Sequence, residues 1–411
     1  MDAEMASWKF TGTYVDAVPP LGANIVDGMW IFRVKKLPGS PPAFKVRYVA
    51  RGFNECEGVD FFHTFSPTPK MTTLWVLLHV AAQREYELHS LDFSTAFLQG
   101  SLHEAIWLRR PPGFTGSFLE GTQWSLRRPV YGLRQVPRGW HDTVRTTLAA
   151  LVFAPSTTDP LLFLRTDTSL PPFYVLVYVN DLVFSTPDTE ALTLVKAKLE
   201  ERHTCTDMGE LRSYLGLQIT QDRAWRTITD AQSHMVQQVL QHFGSEFSSP
   251  QPTPLPTGYS LSTPPSDESV EPSGTYTELA GYLIRLTGQH RGIVSASAPG
   301  SVSWRSTRSS SVVCSCCEAA IYAGAMAALE LRWLTYVLTD LRERPHSPPV
   351  MYVNNKGMIA LCLDQRLEHI TKHIALRYFF TRELQQRGQL CLAYVATKAN
   401  TADVFTKSLG S

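Results

Sequence analysis

The chain is organised around the stretch FYVLVYVNDLVFS, from Phe173 to Ser185. Two runs of β-branched and aromatic residues flank the pair Asn180–Asp181, a pattern that predicts two short strands joined by a tight β-hairpin. A carboxylate at the tip of a buried hairpin is unusual, and holding a metal ion is one reason to place it there. Turn formation, which Asn and Asp often support, explains Asp181 equally well from the hairpin alone.

A second carboxylate, Asp92, has a similar setting upstream, in HSLDFSTAFLQG. It follows Leu91 and precedes Phe93, at the end of a strand predicted over Tyr86–Asp92. Two strand-end carboxylates that fold together would form a site for a metal ion.

These residues belong to a series of motifs in which Tyr178–Asp181 resembles the Tyr-x-Asp-Asp box of reverse transcriptases. The other motifs are KVRYVARGF (Lys45–Phe53), LDFSTAFLQG (Leu91–Gly100), RPPGF (Arg110–Phe114), VYGLRQVPRGW (Val130–Trp140), YLGLQI (Tyr214–Ile219), TKHIALRYFFTRE (Thr371–Glu383) and TADVFTKSL (Thr401–Leu409). In this order they resemble the pol product of a copia-type LTR retrotransposon, a reverse transcriptase followed by ribonuclease H. One departure is that Asn180 occupies the position of the first aspartate of the box.

The resemblance implies an α/β (α+β) fold, with a fingers/palm domain followed by an incomplete ribonuclease H-like α/β domain. The expected segments are a truncated entry segment (1–27), fingers and palm (28–247), a linker rich in Pro, Ser and Thr (248–274), a connection remnant (275–290) and a truncated ribonuclease H-like domain (291–411). The composition of the linker independently predicts an extended connection.

Residue patterns also predict individual elements of secondary structure. Strands are expected at Trp30–Lys36, Phe44–Arg51, Leu161–Leu164, Tyr214–Ile219, Val350–Asn354 and Gln389–Tyr394, and Ile106–Leu108 is expected to continue the central sheet. Helices are expected at Thr72–Arg84, from Gly132–Trp140 onward, and at Glu190–Glu201, Thr229–Phe243, Glu318–Leu338, Lys356–Leu363, Ile374–Gln386 and near Ala402.

The composition indicates a globular protein: 44% of the 411 residues are hydrophobic and 11% are aromatic. The net charge of +1 carries no information about nucleic acid, but Trp30–Phe53 contains several cations and no acidic residue. Such a stretch suits a phosphate-binding groove, and it also suits an ordinary solvated face. The seven cysteines and the polar start of the chain predict an intracellular protein without disulfides, in the cytoplasm or nucleus and not in a membrane.

For nucleotide binding, the resemblance points to Lys45, Arg47, Phe97 and Gln135, with Arg138 near the template. Lys45 and Arg47 would contact the triphosphate, although exposed strand cations are also expected for solubility. Phe97 would pack under the sugar of the incoming nucleotide and exclude a 2′-hydroxyl. Alternatively, Phe97 is an ordinary residue of the hydrophobic core.

In the polymerase site, the resemblance assigns Asp92 and Asp181 to two Mg²⁺ ions that stabilise the attacking and leaving oxygens of phosphoryl transfer. The substituted position 180 contributes a neutral amide, so the charge of the site falls from −3 to −2. We expect this change to weaken polymerase activity or abolish it.

In the ribonuclease H-like part, Glu318 and Asp403 match catalytic carboxylates of the family, and Asn354 stands where the family has aspartate. Without the motifs, Glu318 and Asp403 would count as ordinary helix carboxylates. The segment carrying the first strand and its catalytic Asp is expected to be deleted.

Three functions remain open from the sequence: an active RNA-directed DNA polymerase, an inactive remnant of one, and a non-catalytic nucleic-acid-binding protein. The expected partners are an RNA and DNA primer–template, deoxynucleoside triphosphates and other retrotransposon proteins.

Overall fold

The computed structural model describes residues 1–35, 43–114, 120–243, 302–303, 316–363 and 375–400. The helices are α1 (Asp2–Phe10), α2 (Met71–Arg84), α3 (Val136–Ala150), α4 (Thr189–Arg202), α5 (Ser233–Phe243), α6 (Cys316–Asp340), α7 (Lys356–Leu363) and α8 (Ala375–Gln386). The first strands are β1 (Tyr14–Ala17), β2 (Ile25–Val26), β3 (Gly28–Lys35), β4 (Ala43–Ala50), β5 (Glu87–Phe93), β6 (Trp107–Leu108), β7 (Gln123–Leu126), β8 (Phe153–Pro155) and β9 (Leu162–Arg165). The remaining strands are β10 (Tyr174–Tyr178), β11 (Asp181–Thr186), β12 (Cys205–Glu210), β13 (Ser213–Tyr214), β14 (Leu217–Asp222), β15 (Thr227–Ala231), β16 (Val350–Val353) and β17 (Cys391–Tyr394).

The chain divides into two units, and the expected mixed α/β class is confirmed. The first unit contains Met1–Pro69 and Glu87–Glu210, and the second contains Lys70–Tyr86 and Leu211–Ser411. The segment boundaries expected from the sequence stay predictions.

A six-stranded antiparallel sheet forms the centre of the first unit, in the order β12-β5-β11-β10-β9-β8. Helices α3 and α4 bury their apolar residues against it, including Trp140, Val144 and Leu199, which are at most 2% exposed. Apolar burial of this kind is the main favourable term in folding, and it stabilises the middle strands β10 and β11, which are buried along most of their length.

The rest of the first unit contains a four-stranded sheet in the order β1-β7-β6-β2 and the β3–β4 hairpin. A second core contains Trp8, Tyr48 and Trp124, each at most 1% exposed. The expectation that Ile106–Leu108 continues the central sheet is wrong, because Trp107–Leu108 pairs with β2 and β7 instead. A short apolar run shows that a strand is buried but does not identify its pairing partners.

In the second unit, β13, β14 and β15 form a three-stranded sheet, and β16 pairs in parallel with β17. Helices α6, α7 and α8 share a core with Met351 and Leu390.

Two strand and helix predictions in this unit are wrong in part. Tyr214–Ile219 is not one strand, because the chain turns at Leu215 and Gly216, where φ is +49° and +83°. The helix expected over Thr229–Phe243 begins at Ser233, because Thr227–Ala231 pairs with β14.

Candidate active site

The β10–β11 hairpin carries the two residues that the sequence singles out. Tyr178 pairs with Asp181, so Val179 and Asn180 form a two-residue turn. Val179 has φ +54°, a left-handed conformation that is uncommon for a β-branched residue. Residues held in such conformations concentrate at functional sites, where the surrounding structure fixes them.

Asp92 and Asp181 are direct cross-strand neighbours, because β5 pairs with β11 in the register that places one opposite the other. The amide nitrogen of Phe93 donates to the carbonyl oxygen of Asn180 at 2.8 Å, which joins the turn to the end of β5. The structure therefore brings together all three residues predicted for the polymerase site, and their catalytic role stays a prediction.

The electrostatics of this group follow from its partial burial. Burial raises the pKa of the Asp181 carboxyl above its ordinary value, and the charge of Asp92 raises it further. The side chain of Asn180 donates from Nδ2 to Oδ1 of Asp92. An ionised carboxylate only accepts hydrogen bonds, so the amide has to present its NH₂ group to Asp92.

Trp140 of α3 supports the turn from the core side. Its indole Nε1 donates to the carbonyl oxygen of Val179, and its ring meets Phe93 edge-on with centroids 4.9 Å apart. The side chain is 2% exposed, so it fixes the turn from a rigid position. No role for Trp140 was predicted from the sequence, although it lies in the motif VYGLRQVPRGW.

A cavity of about 430 Å³ lies between one face of the β3–β4 hairpin and the segment at Tyr131 and Gly132. Four of its lining residues are the cations Arg33, Lys45, Arg47 and Arg51, and none of the lining residues that the structure describes is acidic. Such a lining suits a polyphosphate. Arg33 lies opposite Lys45 in the pairing of β3 with β4, and the sequence signal that includes it is the run of cations in Trp30–Phe53.

Tyr131 connects this cavity to the predicted sugar contact. The guanidinium of Arg47 lies 4.2 Å from the centroid of the Tyr131 ring, and the Phe97 ring meets Tyr131 edge-on at 6.0 Å. Phe97 is partly buried and packs against both cores of the first unit. This placement is compatible with both roles that the sequence left open for Phe97.

Gln135 is 6% exposed, and its Nε2 donates to the carbonyl oxygen of Asp60 at 3.1 Å. In this arrangement Gln135 fixes the start of α3. Arg138 lies one turn along α3 and is 3.7 Å from the carboxylate of Asp142. The proposed contacts of Gln135 and Arg138 with a nucleotide or template stay predictions.

Gly132 allows two segments around the cavity to cross at close range. A Cβ at Gly132, where φ is +98°, would lie 2.0 Å from the carbonyl oxygen of Ala50. Gly121 has a similar φ of +79°, and nothing lies within 4 Å of its Cβ position.

We therefore expect Gly132→Ala to lower the free energy of unfolding by about 3 kcal/mol and Gly121→Ala by about 1 kcal/mol. Both variants lose free energy because alanine has to adopt a left-handed conformation, and only Gly132→Ala adds a steric clash. Urea unfolding measures the difference, and equal losses would show that the crossing relaxes freely.

The residues predicted for a ribonuclease H-like site lie in the second unit. Glu318 is 5% exposed in the first turn of α6, and Asn354 directly follows β16. Asp403 and the helix expected near Ala402 lie outside the described residues. Across the described parts of the chain there is no cluster of three or more His, Cys, Asp or Glu side chains suited to a metal ion.

The donor groups at the polymerase position fit a two-metal centre poorly. Two carboxylates are present, and one oxygen of Asp92 already accepts a hydrogen bond from the amide of Asn180. A hard divalent cation needs oxygen ligands at that place, and an N–H group directed into it opposes binding.

Comparisons with known proteins agree with the family resemblance that the motifs indicate. Residues 13–257 match the family described as Reverse transcriptase (RNA-dependent DNA polymerase), and the chain belongs to this family. It is 28% identical to the Retrovirus-related Pol polyprotein from transposon RE2 of Arabidopsis thaliana, over 95% of this chain and 31% of the relative. It is 25% identical to the corresponding polyprotein from transposon TNT 1-94 of Nicotiana tabacum, over 99% of this chain and 36% of the relative. The resemblance to a retrotransposon pol product is confirmed.

The chain spans about a third of the length of these relatives. The match to the RE2 polyprotein extends over 460 aligned positions, which exceeds the 411 residues of the chain, so the relative carries residues that this chain lacks. Among solved structures, the foamy viral protease-reverse transcriptase in complex with RNA/DNA hybrid has a TM-score of 0.48 and 12% identity, over all of this chain and 55% of that one. None of the helices in the described ranges has the length and hydropathy needed to cross a bilayer.

Proposed function

We propose that the chain is the reverse transcriptase part of a copia-type retrotransposon polyprotein, in a degenerate copy that retains substrate binding and has lost most of its chemistry. The observation that carries the proposal is the pairing of Asp92 with Asp181 on adjacent strands, with Asn180 hydrogen-bonded to Asp92. The substrates are an RNA or DNA template with its primer, and deoxynucleoside triphosphates.

The retained function is binding. Lys45 and Arg47 on β4, with Arg33 and Arg51, present positive charge to a triphosphate without competing acidic groups among the described lining residues. Tyr131 and Phe97 provide aromatic surfaces beside them. Phosphate contacts of this type supply most of the affinity for nucleic acid and do not require the missing carboxylate.

The lost function is the chemical step. Polymerases of this class use divalent ions, Mg²⁺ in the proposed activity, to stabilise the attacking and leaving oxygens. With Asn180, Asp92 and Asp181 provide two negative charges where the family provides three. The missing stabilisation of the transition state amounts to several kcal/mol, which corresponds to orders of magnitude in rate.

The proposal for the second unit is a truncated ribonuclease H-like domain without activity. Glu318 and Asp403 correspond to two of the family's carboxylates, and Asn354 replaces a third. The extra aligned positions in the RE2 polyprotein support a deletion in this chain.

We expect the purified chain to bind a labelled DNA primer on an RNA template and to extend it too little for detection at millimolar Mg²⁺. The dissociation constant should rise steeply with KCl, because binding releases counterions from the phosphates. Fluorescence anisotropy measures binding, and a gel of primer products measures extension.

Two variants separate nucleotide binding from general charge in this experiment. Adding deoxynucleoside triphosphate should stabilise the complex in the unmodified chain, less so in Lys45→Ala. Lys198→Ala removes an exposed cation from α4 and should behave like the unmodified chain. A chain that binds no primer–template contradicts the proposal, and rapid extension by the unmodified chain contradicts the loss of chemistry.

A further inference from the structure

The amide of Asn180 lies beside two carboxylates, Asp92 and Asp181, and it changes how their mutual repulsion is relieved. Asp92 and Asp181 lie side by side at the ends of β5 and β11, and both are only partly exposed. Two carboxylates at this distance repel each other, and partial burial strengthens the repulsion because water screens it less. A third carboxylate at position 180 would add to the repulsion unless a cation neutralised the group.

The amide of Asn180 reduces this repulsion without a cation. Its NH₂ group donates to Oδ1 of Asp92, and its backbone carbonyl accepts from the amide of Phe93 at 2.8 Å. Hydrogen bonds to a charged acceptor are stronger than neutral ones. The turn is thus fixed to β5 by two hydrogen bonds, one from the side chain and one from the backbone.

The same chemistry occurs elsewhere in the first unit, where it has a purely structural setting. Nδ2 of Asn24 donates to Oδ2 of Asp60, a carboxylate that is 2% exposed and also accepts from the amide of Cys56 at 2.8 Å. An asparagine amide directed at a buried aspartate therefore stabilises this chain at a second place, which carries no predicted metal role.

We propose that Asn180 acts as a permanent substitute for a divalent cation, so that the hairpin with Asp92 and Asp181 is stable without metal and no longer binds it. This inference rests on the proposed function for the location of the site, and it goes further by assigning Asn180 a stabilising role. The substitution then removes activity and, in the same step, removes the dependence of the fold on metal.

The test compares the full-length chain with Asn180→Asp, with Mn²⁺ as the probe and at one fixed neutral pH. We expect the unmodified chain to have the same Tm in EDTA and in Mn²⁺. Asn180→Asp should melt about 3 °C or more lower in EDTA and recover in Mn²⁺, because the third carboxylate then has a cation. Its affinity for Mn²⁺, from the free-Mn²⁺ signal in electron paramagnetic resonance, should exceed that of the unmodified chain about tenfold or more.

Two further variants separate the possible causes. Asn180→Ala removes the amide without adding charge, so it should lower Tm in EDTA and recover less in Mn²⁺ than Asn180→Asp, because only Asp92 and Asp181 are then left to bind the cation; it also serves if Asn180→Asp fails to fold. Asn24→Asp places a carboxylate beside Asp60, which is 2% exposed, and a hard cation that keeps its water ligands does not reach such a buried pair. Tm should therefore fall without recovery in Mn²⁺.

Either of two results would overturn the inference. One is Mn²⁺ binding by the unmodified chain that Asp181→Asn removes. The other is an Asn180→Asp variant that matches the unmodified chain in EDTA and ignores Mn²⁺. Neither measurement uses primer extension, so the inference can survive a failure of the polymerase proposal and can fail while that proposal stands.

Discussion

Asn180→Asp should raise Mg²⁺-dependent primer extension by about 100-fold or more over the unmodified chain. The variant restores the third carboxylate beside Asp92 and Asp181, and it removes the N–H group that now donates to Asp92. The backbone needs no change, because the pairing of β5 with β11 already places the carboxylates opposite each other. Initial rates of extension on an RNA template at saturating nucleotide measure the gain.

A charge-matched control identifies the cause of this gain. The double variant Asn180→Asp with Asp181→Asn has the same number of carboxylates as the unmodified chain, in exchanged positions. It should stay inactive, because the site again has two carboxylates and position 181 has lost its own. Equal activity in the single and double variants would show that a carboxylate at position 180, and not the total charge, limits the unmodified chain, and no gain in the single variant would place the defect elsewhere.

The ribonuclease H-like part of the chain should not cleave the RNA strand of an RNA–DNA hybrid. The variant Asn354→Asp should not cleave it either. Two-metal hydrolysis needs several converging carboxylates. Within the described residues β16 has only β17 as a strand partner, and Glu318 is 5% exposed in the first turn of α6. One restored charge at Asn354 does not replace the segment that we propose to be deleted.

Incubation with a labelled hybrid and Mn²⁺ measures this activity, with a complete ribonuclease H as the positive control. RNA cleavage that disappears in Glu318→Ala but persists in Glu330→Ala would contradict the prediction. Glu330 is a suitable comparison because it lies on the same helix outside the predicted site. Its Oε1 accepts a hydrogen bond from the hydroxyl of Ser303 at 2.8 Å.

The centre of the fold was predictable from the sequence because its strands are nearly continuous apolar runs. Residues Tyr174–Tyr178 and Asp181–Thr186 occupy the middle of the six-stranded sheet, as FYVLVYVNDLVFS predicts. Strand β12 was missed because CTDMGE contains acidic residues and glycine, which have low strand propensity. Its pairing with β5 fixes it in the sheet, and that pairing is invisible in a local window.

The site shows the same division between local and distant information. The motifs identified Asp92, Asn180 and Asp181, and the run of cations in Trp30–Phe53 includes Arg33, which pairs with Lys45. Support from Trp140 depends on where α3 docks, and the closeness of Tyr131 to Arg47 depends on a crossing of distant segments. Such contacts arise from tertiary packing, so sequence periodicity does not report them.

The register between β5 and β11 also has a consequence for how copies of such an element diverge. The separation of Asp92 and Asp181 is set by hydrogen bonds between two adjacent strands, and the loops between these residues have no part in it. Insertions and deletions in those loops can therefore accumulate over generations without moving the carboxylates. A single base change at codon 180, by contrast, alters the charge of the site and leaves the strand pairing intact. A copy can therefore lose its enzymatic activity long before it ceases to fold.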